Sequence, residues 1–389
     1  MKKITKQAIE PLLSKRDEPV LSIYMPTHRH PTPDHINQDK TRFKNLVHQA
    51  RDEWKKQFNN NTVEDIFQQL IAKLDDIDFW KDATEGLAIF ADSNDYQLYR
   101  LPLECDERVV IGPQFYVAPL LALLSHDQPF YVLSIATQDP QLFKGDMYGL
   151  EPVEAALPSS LEDALDIDEP LSVNTVKSSQ GPGGPRGSIA PHGEGDSQEA
   201  ENADRAHYFQ IVEQAIVKSP DFDDSIPLLL AGTESTVGNF RAASRQLSNI
   251  IEVYLSGNFS KTPTNDIHDQ AWPLIRQTVE QNVETDISKK LDELNGSGLA
   301  STDLDSINQA ADSGRVDTLL VDMINQSNDT ISDVDTGPIL RLTIDDAKLP
   351  ATLNQLIIKV AGQGGKVIGT SQENMPDQAK AAAIYRYSL

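Results

Sequence analysis

The chain has 389 residues, a net charge of −25 and a single cysteine, Cys105. The length predicts two or three domains. One cysteine excludes an intrachain disulfide and any multi-cysteine zinc or iron–sulfur centre, and it is typical of a cytoplasmic protein in a reducing compartment. No apolar run approaches the roughly 20 residues of a membrane span, and no signal peptide is expected behind the basic start of the chain.

Charge is distributed unevenly along the chain. Residues 1–60 hold 12 lysines and arginines against 7 aspartates and glutamates, a balance of +5 within the total of −25. Four of the eight histidines lie in the same segment. An acidic protein with one basic end is expected to present only that end to a polyanion such as RNA. The alternative is that the acidic surface only keeps the chain soluble.

Strands and helices are predicted to alternate from the first block onward. A strand at residues 20–25 precedes a loop at 26–33, where three prolines forbid a helix. Further elements follow in order: helices at about 36–58 and 63–77, a hairpin with arms at 86–91 and 96–101, and a short helix at 115–124.

The second block contains a long irregular segment. Residues 151–198 are acidic and then rich in glycine, proline and serine, without an apolar period, and such a length indicates either function or a linker. Around it we expect, in order, a strand at 130–136, hairpin arms at 141–144 and 147–150 that turn at Gly145 and Asp146, a helix at 199–218, a strand at 226–232, a helix at 236–247 and a strand at 250–255.

The third block continues the alternation, with helices at 266–294 and 304–314, a strand at 316–321, a helix at 353–362 and a strand at 365–369. This order is typical of α/β domains arranged in series. The predicted fold is therefore α/β, with three domains at residues 1–128, 129–260 and 261–389, and with the extended loop 151–198 in the second.

Patterns for metal, phosphate and nucleophilic chemistry are weak. The loop at 181–187 lacks the lysine end of a P-loop, so a linker or a reaching arm is favoured over a phosphate cradle. His192, Glu194 and Asp196 lie in a glycine-rich stretch that would orient metal ligands poorly, and no metal or other cofactor is expected. No Gly-x-Ser-x-Gly elbow is present, and Cys105 has no histidine near it in sequence.

The best polar constellation lies in the basic segment. Histidines on the proline-rich loop are followed by cations on the first turns of the predicted helix. Imidazole and guanidinium groups suit RNA, because they stack on bases and bond phosphates. An ordinary exposed basic helix face is the alternative. The candidate RNA-binding residues are His28, Arg29, His30, Lys40, Arg42 and Lys44.

Several segments together resemble one protein superfamily. They are Leu-Ser-Ile-Tyr-Met-Pro at 21–26, Gly-Leu-Ala-Ile-Phe at 86–90, Ala-Pro-Leu-Leu-Ala-Leu-Leu at 118–124, Pro-Leu-Leu-Leu-Ala-Gly at 227–232, Ala-Ala-Asp-Ser-Gly-Arg-Val-Asp-Thr-Leu-Leu at 310–320, Gly-Gly-Lys-Val at 364–367, Met-Pro-Asp at 375–377 and Ala-Ala-Ala-Ile-Tyr-Arg-Tyr at 381–387. In the order and the residue pattern of these segments, the chain resembles the archaeo-eukaryotic release factor and Pelota superfamily. Within it, the chain resembles the bacterial branch and the Balon group of ribosome hibernation factors.

The chain departs from this superfamily at two motifs. Release factors carry Gly-Gly-Gln on the central loop, whereas here Gly183 and Gly184 are followed by Pro185. Where the decoding motif Asn-Ile-Lys-Ser would fall, the chain has Gln-Asp-Lys-Thr at 38–41, so only Lys40 is retained. Both departures argue against stop-codon-dependent hydrolysis.

The resemblance therefore implies a non-enzymatic factor that is a monomer off the ribosome. It implies binding to the vacant A site of the bacterial 70S ribosome, with contacts to 16S and 23S rRNA, and a C-terminal ribosomal-protein-like domain that contacts EF-Tu. Two alternatives stay open. One is a Pelota-like rescue or surveillance factor, and the other is a peptidyl-tRNA hydrolase without the standard glutamine. The residues expected near the peptidyl-transferase centre are Gln180, Gly181, Gly183, Gly184, Arg186 and Gly187.

Overall fold

The computed structural model describes residues 3–14, 18–58, 63–125, 127–168, 194–294, 296–322, 341–342 and 351–388. The chain forms two compact units, one from residues 1–127 with 276–389 and the other from 128–275. The α/β class predicted from the sequence is confirmed. The three predicted domain boundaries stay a prediction. Within the described part, no helix is long and apolar enough to cross a membrane.

The α-helices of the described residues range from one to eight turns. They are α1 (Lys6–Leu13), α2 (Pro33–Phe58), α3 (Glu64–Ala72), α4 (Ile77–Lys81), α5 (Ala118–Ser125), α6 (Leu161–Asp168), α7 (Glu194–Lys218), α8 (Glu234–Ala243), α9 (Thr264–Leu294), α10 (Leu304–Asp312) and α11 (Ala351–Gly362).

The strands of the described residues form three sheets and one short ribbon. They are β1 (Val20–Pro26), β2 (Gly86–Ala91), β3 (Tyr96–Leu101), β4 (Glu104–Cys105), β5 (Arg108–Gly112), β6 (Phe130–Ser134), β7 (Gln141–Asp146), β8 (Gly149–Pro152), β9 (Leu228–Gly232), β10 (Ile250–Ser256), β11 (Ala300–Ser301), β12 (Val316–Asp322), β13 (Arg341–Leu342), β14 (Lys366–Thr370) and β15 (Ala381–Tyr385). The ribbon pairs β13 with β4.

An antiparallel sheet of order β3-β2-β1-β5 forms the first layer of the unit that contains both chain ends. Helix α2 packs on it through apolar residues spaced three and four apart, which place one face of a helix against a core. Phe43, Val47 and Trp54 of this face are buried. Phe43 meets Trp80 of α4 edge to face at a ring distance of 5.4 Å, so α2 also packs against α4.

A second sheet in the same unit has the order β11-β15-β12-β14. Strands β12 and β14 are parallel, and α11 lies between them in the chain, as a parallel connection requires. Strand β15 runs antiparallel to β12, and all five of its residues are buried. The Asn354 amide on α11 donates to the Phe115 carbonyl at 3.3 Å, which joins this sheet's helix layer to the segment before α5.

The other unit is built on a mixed sheet of order β10-β9-β6-β7-β8. Strands β10, β9 and β6 are mutually parallel, whereas β7 and β8 continue the sheet as antiparallel strands. Helix α7 packs on the sheet through Tyr208, Phe209 and Val212, which are fully buried.

The turn between β7 and β8 lies two residues later than predicted. Gly145 and Asp146 belong to β7, and the turn is formed by Met147 and Tyr148. The Asp146 carboxylate accepts the Tyr148 N–H at 2.7 Å and the Gly149 N–H at 3.2 Å. An aspartate side chain that accepts hydrogen bonds from the backbone N–H groups two and three residues later is typical of the first residue of a turn. The prediction of a turn at Gly145 and Asp146 was therefore wrong.

Two predicted helices differ in length from those observed. The helix expected at 63–77 ends at Ala72, and Asp76 then caps the separate helix α4 by accepting the Phe79 N–H at 3.1 Å. The segment 151–198 contains helix α6, and α7 begins at Glu194 rather than at 199. Residues 169–193 lie outside the described residues.

Helix α8 ends at Ala243, four residues before the predicted end, because of a buried carboxylate on α7. One oxygen of Glu213 accepts the Ser244 hydroxyl and the backbone N–H groups of Arg245, Gln246 and Leu247 at 2.8, 2.7 and 3.1 Å. Burial raises the pKa of Glu213, but these hydrogen bonds outweigh it and leave the pKa below its ordinary value of 4.5. The carboxylate therefore holds residues 244–247 out of the helix.

Replacing Glu213 by glutamine is expected to reduce the stability of this unit by about 2 kcal/mol, since hydrogen bonds to a charged group are lost. A depressed carboxyl pKa contributes stability above the unfolded value, and this contribution is lost as the pH falls through the folded value. Urea unfolding between pH 7 and pH 3 should therefore show a steeper acid loss for the wild type than for Glu213→Gln. The exposed Glu252→Gln is the control, and equal acid slopes for wild type and Glu213→Gln would contradict the assignment.

Candidate nucleic-acid interface

The loop before α2 is fixed at both ends. At its start, the Thr27 N–H donates to the Glu85 carbonyl at 2.9 Å and the Thr27 hydroxyl donates to the Thr84 carbonyl at 2.6 Å. His30 has a φ of 50°, a left-handed conformation that reverses the chain direction. The loop is therefore anchored beside the start of β2 and not loosely tethered.

At its end, the loop enters α2 through a reciprocal cap. The His35 N–H donates to the Thr32 hydroxyl at 3.3 Å, and the Thr32 N–H donates to Nδ1 of His35 at 3.4 Å. This is the geometry of a capping box, with histidine in the place that glutamate or glutamine usually takes. Because Nδ1 accepts, the proton of the neutral His35 ring lies on Nε2.

The carboxylate of Asp39 organises the surrounding polar groups. Asp39 is fully buried. Its Oδ2 accepts the His28 N–H at 3.1 Å, and its Oδ1 lies 2.9 Å from Nδ1 of His28 and 3.2 Å from Nη1 of Arg42. A buried carboxylate without such partners would be strongly destabilising, so both partner side chains are held in place.

The two predicted arginines are already engaged with acidic side chains. Nε of Arg42 donates to Glu107 at 2.8 Å, and its Nη1 also donates to the Pro26 carbonyl at 3.2 Å. Nε of Arg29 lies 2.7 Å from a carboxylate oxygen of Glu85. Each guanidinium charge is therefore compensated within the chain, and these residues shape the loop before they meet a ligand.

The predicted lysines lie on a different flank of α2. One helical residue advances by about 100° around the axis, so Lys40, Lys44 and His48, four apart, form one row. The same rotation places this row on a different side of α2 from Asp39 and Arg42. Lys44 and His48 are exposed and Lys40 is half-buried. Among the described residues, neither lysine makes an ion pair.

Further along α2 the same row is neutralised. Nζ of Lys55 lies 3.2 Å from a carboxylate oxygen of Glu64, and Arg51 pairs with the same carboxylate. Desolvation raises the pKa of Glu64, but these two cations together lower it below the ordinary value. Among the described residues, the cations of α2 without an ion pair are thus Lys40 and Lys44 in its first half and Lys56 in its last turn.

The structure divides the predicted constellation instead of gathering it at one point. His28, Arg29 and Arg42 share the acidic surroundings of the loop, His30 is exposed at the loop, and the lysines occupy the other flank. Sequence reasoning did not identify His35 or Asp39. Two signals pointed to them: the Thr-x-x-His spacing of a helix cap and the three-residue spacing of Asp39 and Arg42 on a helix.

The second predicted site lies outside the part of the chain that the structure describes. All of its residues fall within 169–193, namely Gln180, Gly181, Gly183, Gly184, Arg186 and Gly187. Their assignment stays a prediction.

Cys105 is buried, and burial raises its pKa to about 12. The nucleophilic form of cysteine is the thiolate. At neutral pH the side chain is therefore a thiol that packs beside β2, which makes it a poor nucleophile.

A family model described as bacterial archaeo-eukaryotic release factor family 3 matches residues 129–315. Residues 129–315 of this chain are therefore similar to the bacterial archaeo-eukaryotic release factors. The match includes the whole mixed sheet of β6–β10 and continues to the start of β12. No curated protein matches the sequence.

Solved structures of this superfamily are similar to the chain at low identity. Pelota from Archaeoglobus fulgidus is 14% identical, with 78% of this chain and 79% of that chain covered and a TM-score of 0.35. Dom34 from S. cerevisiae, described as a translation termination-like factor that interacts with Hbs1, is 10% identical over 78% and 74%, with a TM-score of 0.35. The archaeal termination factor aRF1 is 13% identical over 99% of both chains, with a TM-score of 0.23.

Replacing Asp39 by asparagine is expected to destabilise the unit that contains α2 by about 2 kcal/mol, because charged hydrogen bonds to His28 and Arg42 are lost. Trp54 and Trp80 lie in the core beneath α2, so their fluorescence during urea unfolding reports the change. Asp52→Asn, on the same helix and exposed, should stay within about 0.5 kcal/mol of wild type. Equal midpoints for the two variants would show that Asp39 does not organise the loop.

Proposed function

We propose that this release-factor homologue is a ribosome hibernation factor that binds the vacant A site of the bacterial 70S ribosome. Support comes from the family match of residues 129–315 and from the segment-by-segment resemblance to the Balon group. The basic end of unit 1–127 with 276–389 would meet rRNA of the decoding centre. The loop within 169–193 would extend toward the peptidyl-transferase centre.

The proposed RNA contact rests on Lys40 and Lys44 in the first half of α2, which have no ion pair among the described residues. The chain has a net charge of −25, so its surface as a whole repels a polyanion. Arg29, Arg42, Arg51 and Lys55 are paired with carboxylates. Lys40 and Lys44 are left to neutralise phosphates, and Lys40 occupies the one retained position of the decoding motif. RNA would therefore be bound at one place and in one orientation.

We propose that this factor does not hydrolyse peptidyl-tRNA. The loop has Pro185 where release factors carry the glutamine that positions water. Cys105 is a buried thiol whose pKa is raised to about 12, so it does not replace that function. Contact with EF-Tu is proposed from the resemblance of the C-terminal segments alone.

The first test is co-sedimentation of the purified chain with vacant 70S ribosomes and with ribosomes whose A site holds tRNA. We expect binding to the vacant particles only, because both ligands would occupy the same site. A third sample, stalled with mRNA and an empty A site, distinguishes the two biological settings. Preference for the stalled ribosome would favour a Pelota-like rescue factor, and equal binding to vacant and tRNA-filled particles would contradict A-site occupancy.

The same assay tests the lysines. Lys40→Ala with Lys44→Ala should weaken binding and reduce the slope of log affinity against log salt by about 1 per lost phosphate contact. Lys289→Ala with Lys290→Ala removes the same charge from exposed positions on α9 and serves as the control. If both double variants change the slope equally, the lysines of α2 act through net charge only.

Absence of hydrolysis is tested by single-turnover release from ribosomes that carry peptidyl-tRNA. We expect no release above the rate without protein, in wild type and after deletion of residues 180–188, because the water-positioning glutamine is missing. A release factor with Gly-Gly-Gln is the positive control. Release by wild type that is lost on the deletion would establish a hydrolase and overturn this part of the proposal.

A further inference from the structure

Two imidazole rings are stacked at the entrance to α2. The centroids of His28 and His35 lie 4.3 Å apart, and the ring planes differ by 9°. Each ring is partly exposed, and the side chain of His28 keeps 35% of its accessible surface. Partly exposed flat rings of this kind can stack with a further flat group.

Each ring is held by its own set of hydrogen bonds. Nδ1 of His28 is fixed by the buried Asp39 carboxylate at 2.9 Å, and the His28 backbone N–H is bound to the same group. His35 is fixed by the reciprocal cap with Thr32. Neither imidazole has to lose rotamer freedom when a ligand arrives, so the conformational cost of binding is already met by the fold.

The charges around the stack disfavour phosphate as its ligand. Asp39 and Glu107 flank Arg42 on this side of α2, so the two carboxylates outnumber the guanidinium. The uncompensated lysines are on the other flank. A neutral, flat group therefore fits the rings better than an anion, while a phosphate backbone is drawn to Lys40 and Lys44.

We propose that His28 and His35 form a stacking site for one unpaired RNA base, with Asp39 and Thr32 as positioning residues. Unstacked bases of single-stranded or looped RNA are commonly bound on flat side chains in this way. The inference rests on the proposed function, since it specifies how the basic end of the factor contacts RNA. It adds His35, which the sequence did not indicate as a binding residue.

Two variants at one position separate stacking from helix capping. His35→Gln retains the capping interaction but removes the ring, whereas His35→Phe retains a ring but removes the cap. We expect His35→Gln to weaken binding to vacant 70S ribosomes roughly tenfold, within the range of one stacked base, with an unchanged salt slope. His35→Phe should stay within about threefold of wild type, because every base has a face that stacks on an aromatic ring.

A second arm uses short single-stranded RNA in place of the ribosome. An adenosine hexamer is titrated in parallel with a ribose–phosphate oligomer of equal length that lacks bases. Wild type should prefer the hexamer, and His35→Gln should lose this preference while retaining weak binding through the lysines. Circular dichroism melting of each variant shows that differences in binding do not arise from unfolding.

The outcomes distinguish the two proposals. Wild type that binds the hexamer in a base-dependent manner but does not bind ribosomes would overturn the proposed function and support the stacking site. Ribosome binding that is equal in wild type and His35→Gln would overturn the stacking site and leave the proposed function standing. Equal weakening in His35→Gln and His35→Phe would also overturn it, because the ring would then have no separate effect.

Discussion

The buried carboxylate of Asp39 is the constraint on which the basic end of this protein depends. A carboxylate that is removed from water must be compensated by donors, and here His28 and Arg42 provide them. This requirement folds the proline-rich loop back onto the first turns of α2, since His28 and Asp39 are eleven residues apart in the sequence. The rings of His28 and His35 become parallel only because the loop is held at this point. Without the carboxylate, the loop would lose the contacts that fix His28 beside α2.

Charge compensation inside the chain decides which cations are available to a ligand. A count of residues suggests a broadly basic segment, yet Arg29, Arg42, Arg51 and Lys55 each lie beside a carboxylate. Arginine is suited to this role, because its planar fork binds a carboxylate and a carbonyl at once, as Arg42 does with Glu107 and Pro26. The lysines of the first turns are left in solvent. The division between structural arginines and available lysines is therefore a property of the fold and not of the composition.

The sequence predicted helix α2 and the strands around it well, because their signals are local. Phe43, Val47 and Trp54 recur at helical spacing, and the prolines at 26, 31 and 33 mark the loop that precedes the helix. The end of α8 could not be predicted from local signals, since Glu213 lies 31 to 34 residues from the groups that it binds. His35 and Asp39 were missed for a related reason. A histidine in a capping position and an aspartate on a helix become informative only when their partners are placed in space. The residues of the glycine-rich loop, within 169–193, stay a sequence prediction.

Weak overall attraction to RNA is consistent with a specific role for the basic end. A protein with a large positive charge binds any polyanion, and its affinity gives little information about the site. If RNA is bound through Lys40 and Lys44, the electrostatic contribution in so acidic a chain would be small. Contacts that depend on a base, such as stacking on a fixed ring, then supply a larger share of the binding free energy, and they are insensitive to salt. The proposed stacking site would then discriminate between an open RNA site and ordinary duplex, because a stacked and paired base has no free face to offer to the rings. The acidic surface thus favours selectivity by reducing the background against which the specific contacts act.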